Sequence, residues 1–302
     1  QVWSTEYLRE GCEFQSQLQR RHLCSLRRIL GVKSSTTNWP LLRECGQEPL
    51  QFYWFRASVR FYNNMLDSNS ETLRRVLKAD LHLARRDTSC WSAQVAEALG
   101  GMRNSDMFKR RFLEASKIPM PEFVGDLRFR QQKVWREADT LDPRFSDRKA
   151  VTYHKWCGRE VNHTRGTPFP VPSYLFKDLD RHVRRNVSRF RLRGHCLKVE
   201  SSKWLGGPSV CDKCGCAEVQ DEKHALFSCT WSRVCELRSK YKELFMNIFK
   251  PLHWFVRSET VFIPFLARFH YVSDYEMRAF MNQDSIRFFR FLSELVSLFD
   301  AG

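Results

Sequence analysis

Glycine and proline are scarce, at 13 and 11 of 302 residues. Tight turns draw on those two residues, so a many-stranded sandwich with a turn every ten residues is disfavoured and long helices are expected. No apolar run approaches the roughly 20 residues that cross a bilayer as a helix, which argues against a membrane partner. The opening stretch, QVWSTEYLRE, has no initiator methionine and no apolar signal core, so it reads as part of a longer intracellular chain, cytoplasmic or nuclear. Neither a fixed-period repeat nor a low-complexity tract is visible. Acidic residues are the minority charge: 34 Asp and Glu stand against 50 Lys and Arg, a net charge of +16. That excess favours a polyanionic partner, RNA or DNA.

What is present supports an ordinary folded protein. Hydrophobic residues make up 42% and aromatics 14%, enough to fill a core, and the length suits two domains or one large one. Of the eleven cysteines, Cys12, Cys24, Cys45, Cys90, Cys157 and Cys196 are scattered singly. That scatter fits buried thiols in a reducing compartment better than a disulfide framework.

The expected fold class is mainly α, in two helical blocks, the second built around a small Cys-Cys-His-Cys zinc knuckle. Residues 6–31 carry Leu18, His22, Leu26 and Leu30 near helical spacing, with Gly31 as a stop. SSTTN at 34–38 is a capping cluster, and LLRECG closes at Gly46. A third helix runs from Pro49 to Leu66 with Phe52, Phe55, Val59, Tyr62 and Leu66 on one face. Further helices are expected at 70–83, 89–99 and 127–139. Prolines and glycines break the periodicity between 140 and 173. The division is therefore 1–145 as a helical block, 146–173 as a linker and 174–302 as a second block.

The second block opens with a basic helix expected over Tyr174–Arg193. Its Leu175, Leu179, Val183, Val187 and Phe190 repeat at three and four, so the arginines fan outward. Arg181, Arg184, Arg185, Arg189, Arg191 and Arg193, with Lys198 and Lys203, are the candidate nucleic-acid-binding residues. In 177–203 nine bases oppose three acids, and four to six of the nine are expected to share one side. Helices are also expected at 231–249 and 274–299.

Between these lies CDKCGCAEVQDEKHALFSC, with Cys211-x2-Cys214-x9-His224-x4-Cys229 spacing. Two cysteines three apart can wrap a tight turn around one ion, with Gly215 loosening the knuckle. Asp221 is placed to cap a helical turn that aims His224 back at the pair. Four thiolate or imidazole ligands close a tetrahedron around one structural zinc and leave no position for a reacting water. Cys216 is a competitor for the place of Cys214, and Cys235 is read as buried. A short hairpin is expected ahead of the turn.

FRLRGHCLKVESSKW (190–204), CDKCG (211–215) and QDEKHALFSC (220–229) together resemble the C-terminal zinc-binding region of non-LTR (LINE-type) retrotransposon reverse transcriptases. Residues 26–66 resemble the segment after the polymerase thumb in those proteins, so 1–145 reads as a post-thumb connector. The resemblance implies a nucleic-acid-binding portion that holds template RNA or target DNA, partnered by an upstream polymerase domain of a parent RNA-directed DNA polymerase. The chain departs from the family in having no adjacent Asp-Asp pair, which those polymerases use to hold catalytic metals. No acid–base pair or nuclease core is legible, so catalysis by the chain itself is not expected. The alternative reading is a host-domesticated, zinc-bearing protein-interaction module.

Overall fold

The computed structural model describes residues 17–140, 153–157, 171–246 and 272–300. The fold is mainly α. The only strand pairing among the described residues is one antiparallel bridge, Val210 with Val219. No helix among them is long and apolar enough to cross a membrane. Most of the linker expected at 146–173 lies outside the described residues.

The chain forms two compact units that interleave along the sequence. Among the described residues, the first comprises 17–23 and 46–140, and the second comprises 24–45, 153–157, 171–246 and 272–300. Helix α1 (Gln17–Leu30) contributes to both.

In the first unit, α3 (Leu50–Asp67), α4 (Glu71–Leu83), α5 (Trp91–Gly100), α6 (Ser105–Leu113) and α7 (Met120–Thr140) enclose an apolar core. Phe52, Phe55, Val59 and Tyr62 of α3 are buried in it, as the helical spacing predicts, while Leu66 packs at its edge. Tyr62 also donates to the Phe112 carbonyl at 3.0 Å, and Asn63 makes a two-way pair with the backbone of Ile118 at 2.8 and 3.0 Å. These bonds close the turn after α6, where Ala115 takes φ +51.

The second unit joins the end of α1 and α2 (Asn38–Glu44) to α8 (Arg181–Arg191), α9 (Lys198–Leu205), α10 (Ser232–Lys240), α11 (Lys242–Met246), α12 (Asp274–Met281) and α13 (Ile286–Asp300). Helix α8 packs along α13, and Phe227, Phe245, Phe280, Phe288 and Phe291 form a buried edge-to-face cluster. Gly31 ends α1 as expected: φ is +65, and a reciprocal pair of bonds, Gly31 N–H to Arg28 and Val32 N–H to Arg27, closes the turn.

The basic helix begins at Arg181, seven residues later than the periodicity suggests. Asp178 and Asp180 favour caps and turns over helix interior. Tyr174, in a single 3-10 turn (Ser173–Leu175), is drawn inward instead, with its hydroxyl 2.8 Å from Glu44 and 2.9 Å from Ser188.

Residues 24–45 sit early in the chain yet belong to the second unit, where Glu44 is a buried anion. Arg191 donates Nε to Glu44 Oε1 at 2.5 Å and Nη2 to Oε2 at 3.2 Å, and both side chains are withdrawn from water.

Candidate functional site

The segment after α9 folds back as a minimal hairpin. Cys211 N–H donates to the Glu218 carbonyl and Gln220 N–H to the Ser209 carbonyl, both at 2.8 Å. This brings the two arms of the knuckle together around residues 212–217. The left-handed residue of the knuckle is Ala217, φ +52, not Gly215, whose Cβ position is open and whose φ is ordinary. The expectation that Gly215 loosens the turn is corrected accordingly.

Asp221 Oδ1 accepts from the His224 N–H at 2.8 Å, which is the cap the sequence predicts. The turn that follows is π-helical over His224–Ser228: Cys229 N–H reaches back five residues to the His224 carbonyl at 2.8 Å. That wider turn brings the His224 ring and the Cys229 sulfur to the same side.

Cys211, Cys214, His224 and Cys229 converge, with all four donor atoms within 4.8 Å of one another, close enough to hold one metal ion. Cys211 Sγ lies 4.0 Å from Cys229 Sγ, and Cys214 Sγ lies 3.3 Å from His224 Nε2. Cys216 stands apart from this set, with its sulfur 3.3 Å from Thr230 Oγ1. Cys235, half-buried, points at the Cys229 carbonyl.

Three residues that sequence reasoning did not single out support the donors. Glu218 Oε2 is 2.8 Å from His224 Nδ1, an arrangement that turns Nε2 toward the sulfurs and makes it the better ligand. Gln220 donates Nε2 to Cys211 Sγ at 3.1 Å and accepts the Lys198 N–H at 2.9 Å, tying the knuckle to the start of α9. Arg238 is fully buried under the His224–Ser228 turn, donating to the Leu226 carbonyl at 2.8 Å and the Ala225 carbonyl at 3.3 Å. Burial lowers its pKa to about 10, opposed by the thiols of Cys235, Cys229 and Cys214. Glu218 and Gln220 carry no spacing signal of their own, because their contacts arise from the hairpin register.

Burial, and then the neighbouring Cys211 and Cys214 thiols, push the Cys229 thiol up well beyond its ordinary value. Three sulfurs this close resist ionising together, so a cation that binds them must displace their protons.

The basic candidates divide sharply. Arg181, Arg184 and Arg185 are exposed, and Lys203 is exposed while paired with Glu200 at 2.8 Å. Lys198 is half-buried and pairs with Asp212 at 3.1 Å. Arg189 is largely covered and paired with Asp300. Arg191 and Arg193 are corrected: neither is presented to a ligand. Arg191 is locked on Glu44 and the Cys157 carbonyl. Arg193, 8% exposed, lies 3.2 Å from Glu200 and 3.0 Å from Glu222.

Glu222 also meets His195 Nε2 at 2.9 Å. Burial works against its charge, but His195 and then Arg193 outweigh burial and hold its carboxyl at about 2. This buried ion cluster fastens the end of α8 to the turn that carries His224. Comparison with family models, curated proteins and solved structures finds no match for the chain.

Proposed function

We propose that the chain is a zinc-organised nucleic-acid-binding module, similar to the C-terminal region of LINE-type reverse transcriptases, that holds RNA or DNA and performs no chemistry itself. The observation that carries this reading is the convergence of three sulfurs and one imidazole from a 19-residue segment. A tetrahedral zinc with Zn–S near ~2.3 Å and Zn–N near ~2.05 Å has edges of about 3.8 Å between sulfurs and about 3.6 Å between sulfur and nitrogen. The distances of 4.0 and 3.3 Å bracket those edges. Thiolate-rich donor sets favour zinc over the harder divalent cations. Four protein donors fill the tetrahedron, so the ion's role is to fold the knuckle, not to activate water. The net charge of +16 and the exposed arginines of α8 supply the attraction for a polyanion.

Metal analysis of purified chain should find about one zinc per molecule. Binding to single-stranded RNA and to duplex DNA should weaken steeply with salt. A primed template with nucleotides and magnesium should show no extension above a mock preparation. Protein that lacks zinc sinks the metal assignment. Zinc-loaded protein with no salt-dependent nucleic-acid affinity sinks the binding assignment in favour of a protein-interaction module.

A further inference from the structure

The exposed arginines of α8 do not stand alone. Arg181, Arg185 and Arg189 repeat every four residues and so form one row on the helix, in which Arg181 and Arg185 are exposed and Arg189 is paired with Asp300. The turn after α1 runs against that row. A Cβ built on Gly31 would meet Arg185 Cδ at 2.6 Å and Nε at 2.7 Å, so the Arg185 chain lies directly over the Gly31 backbone. The turn after α1 therefore lies against α8 at Arg185. Lys33 follows two residues on, in the loop between α1 and α2. Arg28, Lys33, Ser34 and Ser35, within four residues of Gly31, are all exposed.

We propose that Arg28 and Lys33 join Arg181 and Arg185 in one composite surface that binds the phosphodiester backbone of a nucleic acid without reading its sequence. The inference rests on the nucleic-acid reading above and deepens it. The four cations of that surface, Arg28, Lys33, Arg181 and Arg185, are all exposed, with Asp180 at the start of α8 exposed beside them. The Ser34 and Ser35 hydroxyls add neutral donors of the kind that position a phosphate. Gly31 has a second reason to be glycine: besides its positive φ, it lets the Arg185 stem cross the turn and keep its guanidinium at the surface.

The test uses the full chain, with fluorescence anisotropy on labelled single-stranded RNA and labelled duplex DNA over a salt series. Lys33→Gln, in a loop, should lower affinity several-fold and reduce the salt slope by about one. Arg28→Gln with Lys33→Gln should reduce the slope by about two, with zinc content and helicity unchanged. Lys78→Gln with Arg85→Gln, both exposed in the first unit, removes the same charge elsewhere and should leave the slope near wild type. Wild-type binding by the Arg28/Lys33 variant, with loss in an Arg181→Gln/Arg185→Gln variant, would confine the surface to α8 and overturn this inference while the nucleic-acid reading stands. An equal loss in the Lys78/Arg85 control would reduce the effect to total charge and overturn it too. No binding by the wild type overturns both.

Discussion

Glu218 is the residue whose removal best separates the proposed metal centre from a chance cluster of thiols. It touches the imidazole nitrogen that faces away from the sulfurs, so Glu218→Gln leaves all four donors in place and loses only the charge that orients and enriches His224. Metal affinity should fall about 10–100-fold, read by competition with a chromophoric chelator. Unchanged affinity would mean that His224 is not a ligand through Nε2.

Cys157 gives a second residue-scale expectation, one that depends on pH. Burial, with Glu44 adding to it and Arg191 opposing, raises its thiol from 9.0 to about 12. The folded chain therefore holds that proton more tightly than the unfolded chain. The resulting stability is fully present below about pH 9.0 and is lost as pH rises through about 12. Cys157→Ala should flatten the alkaline limb of a stability–pH curve measured by urea unfolding; an unchanged limb would assign the alkaline loss to other groups.

Among the elements, the end of α8 is the most informative. Its closing turn has Arg193 N–H bonded to the Phe190 carbonyl and Gly194 N–H to the Arg189 carbonyl, with Arg193 at φ +57. That position normally favours glycine, and an arginine there costs about 1–2 kcal/mol. The side chain offsets this cost by lying between the buried carboxylates of Glu200 and Glu222. Arg193→Gly should therefore destabilise, by about 1–3 kcal/mol, although glycine suits the backbone better. Thermal melts would show it, and a stabilised variant would mean that the ion cluster contributes less than the backbone strain. The same cluster explains why Arg193, an obvious member of a basic strip by sequence, is not at the surface.

At the scale of the whole molecule, the second unit is assembled from distant parts of the chain. Its buried Arg191 depends on Glu44, 147 residues away. Removing one partner of such a pair costs about 3–5 kcal/mol. A chain cut to begin at Gly46 should therefore lose cooperative unfolding in residues 169–302, even with zinc present. A chain that retains Cys24–Cys45 but carries Glu44→Ala should show the same loss in milder form. Hydrogen exchange localised by mass spectrometry would test both; full protection of α8 and α13 in the shortened chain would refute the dependence.

The convergence of Cys211, Cys214, His224 and Cys229 was legible because a knuckle is a local device: four donors within one short segment, with Asp221 capping the turn, fix their own geometry. Gly31 as a stop and the buried face of α3 were legible for the same reason, since turn chemistry and helical periodicity act over a few residues. The sequence by itself thus determined the helical class, the four donors and the excess of positive charge. Tertiary structure alone decided which charges face water. Arg181 and Arg185 remain exposed while, on the same stretch, Arg191 is buried and the Arg193 side chain is largely covered, because the carboxylates that hold the latter two come from Glu44, Glu200 and Glu222. Those partners lie 147, 7 and 29 residues away, and helical periodicity says where a side chain points without saying what the fold brings to meet it.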